Sequence, residues 1–309
     1  MKYSNYLIIT LLCLQLSCKE EPSQAIPSQD ATNSYKVEKT RLSTVVPKTN
    51  SFQRSKTTVA TSLVSWNIRD FGGSKDDTEI KQIAQVVRDF DIVAIQEVVA
   101  KNPKGAQAVA RLADALNRMG VKWDYRISDP TQSPSVYKRE RYAFLWKTAS
   151  VKLLSVPYLD SNLATVCDRE PYVGLFQAKN MDAPFYLVNF HSRRYDAQPE
   201  EEIMHFIKYP DRLQSNRVII AGDFNLDEKH RVWDKFYSRG FKNALINTKT
   251  TLKVKCKFGA YRNHPIDNIY ATNGVSFSQM GSIDIVKNCE NLKMARTLSD
   301  HLPVFIEFQ

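Results

Sequence analysis

No apolar run in the 309-residue sequence approaches the ~20 residues that a membrane-spanning helix needs, so a multi-span membrane protein is excluded. Cysteine is scarce. Five in a chain of this length make no stapled miniprotein, and a chain this long can bury most of its apolar surface without one. There is no internal repeat and no linker within 58–309, which argues against a solenoid or a string of small modules. Hydrophobic residues at 43%, charged residues at 25% and a mean hydropathy of -0.39 exclude wholesale disorder. What is in excess is positive charge. Lys and Arg number 43 against 33 Asp and Glu, a net +10, and such a field draws in polyanions such as nucleic acid or anionic lipid without naming either.

The N-terminus reads as a leader. Lys2 is followed by the short apolar run Leu7–Leu16 and then by Leu16-Ser17-Cys18 and Lys19-Glu20-Glu21, the layout of a signal peptide. The segment resembles a bacterial lipobox, with Gln15 where that pattern usually has Leu. The resemblance implies that residues 1–18 are a lipoprotein signal, that Cys18 carries the lipid, and that the protein is lipid-anchored in a bacterial cell envelope, at the outer membrane or cell surface. An ordinary secretory signal is the alternative. From 19 to 57 the sequence is rich in Ser, Thr, Gln, Pro and Lys without apolar period, as expected of a disordered tether. Of the cysteines beyond Cys18, either Cys256 and Cys289 form a bridge or Cys167, Cys256 and Cys289 are all unpaired thiols.

Beyond residue 58, short β-rich runs alternate with two or three amphipathic helices. Helices are predicted over Glu79–Phe90, Ala106–Met119 and Glu200–Lys208. Strands are predicted over Thr61–Ile68, Asp91–Val98, Trp123–Ile127, Arg141–Trp146, Val151–Tyr158, Tyr172–Ala178, Phe185–Phe190, Arg217–Ala221, Asn268–Ala271 and Leu302–Phe308. Many strands follow one another with no helix between them, so the pattern favours a layered α/β sandwich of two sheets over a βαβ repeat.

The informative feature is where polar residues fall. Trp66-Asn67, Gln96-Glu97, Asn189-Phe190-His191-Ser192 and Gly222-Asp223-Phe224-Asn225 end strands, and Ser299-Asp300-His301 opens one. A lone Asp or His at a strand tip is ordinarily a turn or cap residue. Five tips at once, all carrying carboxylate, amide or imidazole, point to a shared site.

Ser65-Trp66-Asn67-Ile68, Ile95-Gln96-Glu97, Ala221-Gly222-Asp223-Phe224-Asn225 and Ser299-Asp300-His301-Leu302-Pro303 resemble, in order, the signatures of the endonuclease/exonuclease/phosphatase superfamily. Tyr137-Lys138-Arg139-Glu140-Arg141-Tyr142 and Arg169-Glu170-Pro171 are similar to the deoxyribonuclease I branch, with one residue inserted in the first. The resemblance covers essentially all of 58–309. It implies a four-layered α/β sandwich, two packed, largely antiparallel or mixed β-sheets flanked by helices, that hydrolyses DNA phosphodiesters with low sequence specificity. The alternatives are a phosphoesterase of the same fold acting on sphingomyelin or inositol phosphates, and a non-catalytic surface module that binds DNA.

Phosphodiester hydrolysis needs charge neutralisation, an activated water and a proton for the leaving oxygen. A hard cation, Mg2+ or Mn2+, prefers oxygen donors such as Asn67, Glu97 and Asp300, which disfavours zinc. His191 and His301 titrate in the range useful for acid and base. The resemblance implies Glu140 as partner of His191, Asp267 as partner of His301, and Asp223 and Asn225 as the residues that orient water and phosphoryl oxygens. It also implies Tyr137, Arg141 and Arg169 as contacts to DNA, in a monomer whose only tie to a membrane is the lipid. Calcium, which the family would bring, is unsupported, because Leu226-Asp227-Glu228-Lys229 lacks the cysteine that the family carries after Gly-Asp-Phe-Asn. Lys249–Lys257 reads either as a DNA-facing basic edge or as an edge strand protected by lysines.

Overall fold

Residues 60–309, except Pro134, Val136 and Tyr137, are described by the structure, a computed structural model. The segments 1–18 and 19–57, with Cys18, therefore lie outside the described residues. The strands are β1 (Thr61–Phe71), β2 (Ile92–Val99), β3 (Trp123–Ile127), β4 (Glu140–Lys147), β5 (Val151–Leu153), β6 (Tyr158–Leu159), β7 (Tyr172–Ala178), β8 (Phe185–His191), β9 (Val218–Asp223), β10 (Lys242–Asn243), β11 (Leu252–Lys257), β12 (Ala260–Arg262), β13 (Asp267–Ala271), β14 (Phe277–Ser282) and β15 (Val304–Phe308). One sheet has the order β14-β15-β1-β2-β4-β3. The other runs β10-β13-β9-β8-β7-β5, with β6 also on β7. Each is mixed: β1 with β2 and β8 with β9 are parallel, and the other pairs are antiparallel.

Alternation along the strands builds the layers. Leu63, Ala94, Phe144, Phe176, Leu187, Ala221, Ile269 and Ile306 meet in the core between the sheets. An aromatic run crosses it, with Phe144 4.9 Å from Tyr172 and 5.4 Å from Phe176, and Phe185 5.0 Å from Phe308. The opposite phase of the first sheet, Val64, Trp66, Val93, Ile95 and Leu145, packs under helices α1 (Asp77–Val87) and α2 (Lys104–Asn117). The opposite phase of the second, Val188, Phe190, Val218 and Ile220, is covered by Ile203, Phe206, Tyr209, Trp233 and Phe236. The result is the four-layered sandwich.

Differences from the sequence reading have local causes. α1 starts two residues early because Asp76 and Glu79 form a reciprocal capping box. Val151–Tyr158 splits into β5 and β6 at Pro157, which has no N–H to give a ladder. Glu200–Lys208 is α-helical only to Ile203, and Met204–Lys208 tightens to a 3-10 turn. Leu302–Phe308 becomes β15 only from Val304, after Pro303. The edge strand β14 and a helix over Leu292–Leu298 carried too short a pattern to be read. Cys256 and Cys289 are bridged, with Cα atoms 5.7 Å apart, and Cys167 is a buried free thiol.

Candidate active site

The same alternation that fills the core also builds the site. Asn67 is in phase with Leu63, Glu140 with Tyr142 and Phe144, His191 with Leu187, Asp223 with Ala221, and Asp267 with Ile269. Each therefore projects from the inner face of its sheet, at the end where β8 and β9 stop and β4 and β13 begin, with Asn67 where β1 loses its register with β2. A buried polar layer lies beneath them. Gln96 Nε2 donates to Asn189 Oδ1 at 2.6 Å across the two sheets, and Asn189 Nδ2 donates back to Ile95 O at 3.0 Å.

Two imidazole and carboxylate pairs face one another. His191 Nδ1 lies 3.1 and 3.0 Å from the Glu140 carboxylate oxygens, and His301 Nδ1 lies 3.0 and 2.9 Å from those of Asp267. The carboxylates hold a proton on each Nδ1, so each Nε2 turns away from its partner. The two Nε2 atoms converge on Asp223 Oδ2, at 3.6 Å from His191 and 3.8 Å from His301. Asn67 Nδ2 bridges that oxygen, at 3.1 Å, to Glu97 Oε1, at 3.0 Å, and Glu97 Oε2 accepts from Asp70 N.

Backbone geometry makes this convergence feasible. Glu97 has φ of 60° and Asn225 φ of 51°, left-handed conformations that are sparsely populated without glycine and that collect at functional sites. At Glu97 the register of β2 slips against both neighbours, and this bulge aims its carboxylate at Asn67. Gly222 is required by close approach, since a Cβ there would sit 1.8 Å from Phe190 O on the paired strand.

Electrostatics follow from burial among charges. Burial opposes ionisation of Glu140, but His191 and Arg169 outweigh it and hold the carboxyl below its ordinary value. Burial and Arg169 oppose charge on His191, yet Glu140 and Asp223 raise it above the ordinary imidazole value. Burial opposes charge on His301 too, but Asp267 and Asp223 prevail and push it up to about 10. A group whose pKa rises on folding stabilises the fold fully below its unfolded value, and loses that contribution as pH climbs through the folded value. In metal-free protein, Asp267→Asn should therefore lower the Tm most below about pH 6.5 while Asp267, whose own pKa burial raises, is still ionised, with the deficit shrinking toward pH 10. Calorimetry of both proteins across that range is the check, and a deficit that grows with pH contradicts the assignment.

The structure gathers Asn67, Glu97, Glu140, Arg169, His191, Asp223, Asp267 and His301 into one cluster. Arg169 Nε donates to Glu140 Oε2 at 3.1 Å, and its Nη2 lies 3.3 Å from His191 Nε2. Asn225 N donates to Asp223 Oδ1 at 2.9 Å. Arg141 stands apart: its side chain is in the phase of Ala143 and Leu145, and its guanidinium donates to Ser128 O. Asp300 is held by Arg69 at 3.3 Å and Arg296 at 3.7 Å instead of joining Glu97 through a hydrogen bond. Tyr137 lies outside the described residues.

Sequence reasoning missed the positioning groups. Thr250 Oγ1 donates to Asp267 at 2.6 Å, Ser299 Oγ donates to Asn67 O and accepts from His301 N, and Trp66 Nε1 donates to His301 O. Buried Glu202 accepts from Asp168 N and Arg193 N, tying the loop of Arg169 to that of His191. Trp66 and Ser299 lie inside the quoted motifs but carried no assigned role there, and Thr250 and Glu202 have no spacing signal that could mark them.

Two observations bear on a cation. Asn67 Oδ1 is buried without a hydrogen-bond partner, on the amide whose Nδ2 meets the Glu97 carboxylate, so a small turn of that amide would set two oxygens on a hard divalent ion. Among the described residues, Asp223, Asp267 and His301 also bring three ligand atoms within 4.8 Å of one another. Both Asp267 oxygens already accept from His301 Nδ1, and a hard cation prefers oxygen to the remaining imidazole nitrogen, so Asn67 and Glu97 are the better fit.

The model of the endonuclease/exonuclease/phosphatase family matches residues 64–301, from within β1 to His301. The chain belongs to this family. A deoxyribonuclease of Thioalkalivibrio sp. (strain K90mix) is 32% identical over 270 residues, covering 80% of this chain and 70% of that protein. Bovine deoxyribonuclease-1 is 32% identical over 175 residues, 53% of this chain and 60% of the relative. A family member from Bacteroides vulgatus superposes with a TM-score of 0.61 at 17% identity, over 82% of this chain and 99% of that one, which extends the likeness to the fold. The two dyads around Asp223 and the Asn67 and Glu97 pair all lie within the matched residues.

Proposed function

We propose that this protein is a divalent-metal-dependent endonuclease that hydrolyses duplex DNA with little sequence preference. The observation that carries the reading is the pair of buried dyads whose Nε2 atoms share Asp223, an arrangement able to take one proton and give another across one phosphate. The deoxyribonuclease names of its relatives and the +10 charge favour DNA as the phosphodiester.

Asn67 and Glu97 would hold Mg2+ or Mn2+, which when bound neutralises phosphoryl charge. One imidazole, neutral at Nε2, accepts the proton of the attacking water. The other, protonated at Nε2, delivers a proton to the departing oxygen. Asp223 offsets the positive charge that each ring carries in turn, and Asn225, fixed by its backbone bond to Asp223, would exchange the long bond of its Nδ2 to Ser192 O, 3.4 Å, for water or a phosphoryl oxygen. Arg169 keeps Glu140 ionised and leaves Nη2 beside His191 to meet a phosphate oxygen.

A plasmid-nicking assay of the purified protein with and without EDTA tests the reading. Cleavage at subsaturating DNA should fall steeply with salt, by roughly 0.9 in log affinity per log salt for each phosphate neutralised. Faster hydrolysis of sphingomyelin or inositol phosphates under matched metal would replace DNA as substrate.

We also propose that Cys18 bears a lipid that anchors the protein in the cell envelope, supported by the sequence of the leader. Cys18→Ser should move the protein to the aqueous phase in detergent partitioning while nicking persists. A variant that still partitions with lipid would refute the anchor.

A further inference from the structure

The chain that fixes the His301 dyad continues directly into a hairpin. Thr250 holds Asp267, Thr251 bridges to His301, and Leu252 N donates to Asp300 O at 2.7 Å. β11 and β12 then form a two-stranded sheet apart from both main sheets. Such a ribbon is marginal in water, and this one is secured twice. Cys256 is bridged to Cys289, and Leu252, Cys256 and Tyr261 pack against Val286, Leu292 and Ala295.

What the secured ribbon presents is basic and aromatic. Lys249, Lys255 and Lys257 are exposed and Lys253 is half-buried, and none of them forms an ion pair among the described residues. The turn Phe258-Gly259 closes on the pair Lys257 and Ala260, with φ of 51° and 75°. Two positive φ values suit Asn-Gly and disfavour a bulky side chain. Phe258 is nonetheless there, 97% exposed, with Lys257 Nζ 5.9 Å from its ring centre. An edge protected only against aggregation would place charge, not an aromatic ring, at its most exposed point. A strained, solvated ring among unpaired lysines adds nothing to the core and has the composition of a nucleic-acid contact.

We propose that the β11 and β12 hairpin is a DNA-gripping arm, its lysines holding phosphates beside the scissile bond and Phe258 stacking on a base. The inference rests on the DNA-cleaving reading of the site. A lipid surface would use similar side chains, but the root of this arm is the catalytic dyad. A polymer bound at His301 therefore starts where the arm starts, and the six residues from Leu252 to Lys257 reach about 20 Å, some six base-pair steps.

The test is equilibrium binding of the full chain, in EDTA, to a labelled duplex of about 30 base pairs across a salt series. Removing three phosphate contacts with Lys253→Ala/Lys255→Ala/Lys257→Ala should flatten the salt slope by about 2 to 3. Phe258→Asn should weaken binding by about 5- to 100-fold and, because Asn suits the turn, raise the Tm. If wild type binds and cleaves duplex and both variants match it in slope and affinity, the arm is refuted. Loss of binding to phosphatidylglycerol vesicles, with duplex binding intact in the variants, also refutes it and makes the hairpin a membrane contact. A wild type that neither binds nor cleaves duplex instead overturns the DNA-cleaving reading, and the arm with it.

Discussion

Replacing His191 or His301 by Asn is expected to lower plasmid cleavage at least about a hundredfold, the scale of a lost general acid or base. Asn is preferred to Ala for a structural reason. Both dyads are buried against their sheets, and truncation to Ala would leave Glu140 or Asp267 without its imidazole, a costly orphan. The Asn amide can still donate to the carboxylate in place of Nδ1 while supplying nothing at Nε2. Near wild-type nicking by either variant, with an unchanged circular dichroism spectrum, would remove that histidine from the chemistry. Glu140→Gln should also reduce turnover, since it acts through His191, but should leave the salt slope of DNA binding unaltered.

Glu97→Ala is expected to cost at least about a hundredfold in cleavage, as for loss of a metal-held charge clamp. EDTA should abolish the wild-type activity. The effect should be partly reversed by raising Mg2+ or Mn2+ if Asn67 Oδ1 remains to hold the ion more weakly. Because Glu97 sits in a left-handed conformation, Glu97→Gly should relieve backbone strain and give a protein at least as stable as Glu97→Ala, yet no more active. Isothermal titration with Mn2+ is the direct measurement. Undiminished Mn2+ affinity in either variant would shift the cation from the Asn67 and Glu97 pair to the carboxylates of Asp223 and Asp267.

Much of this was legible in the sequence, and for a physical reason. A strand exposes alternate residues to alternate sides, so a polar residue two positions past a core residue has to emerge on the same face at the sheet's end. Asn67 after Leu63 and Ser65, Asp223 after Ala221, and His191 after Leu187 and Asn189 could each be read that way. Periodicity also placed α1 and α2 and the central strands to within three residues at each end. What local pattern could not supply was partnership. Whether Glu140 meets His191 depends on β4 and β8 lying in different sheets that pack face to face. Asp300 sits next to His301 in the chain, yet Arg69 and Arg296 hold it. Arg141 sits next to Glu140, yet strand phase turns it to the other face. Thr250, Ser299 and Glu202 act only through contacts made by distant segments. The sequence by itself determined the residue types at the strand ends, the two-sheet architecture and the basic charge, because these follow from composition and short-range period. The tertiary structure alone decided where the bulge at Glu97 aims its side chain and that Cys256 pairs with Cys289, and it gave the contacts behind the carboxylate and imidazole pairings, which only the family resemblance had implied. Those depend on long-range packing that brings side chains within 3 Å, and no local sequence pattern encodes that distance.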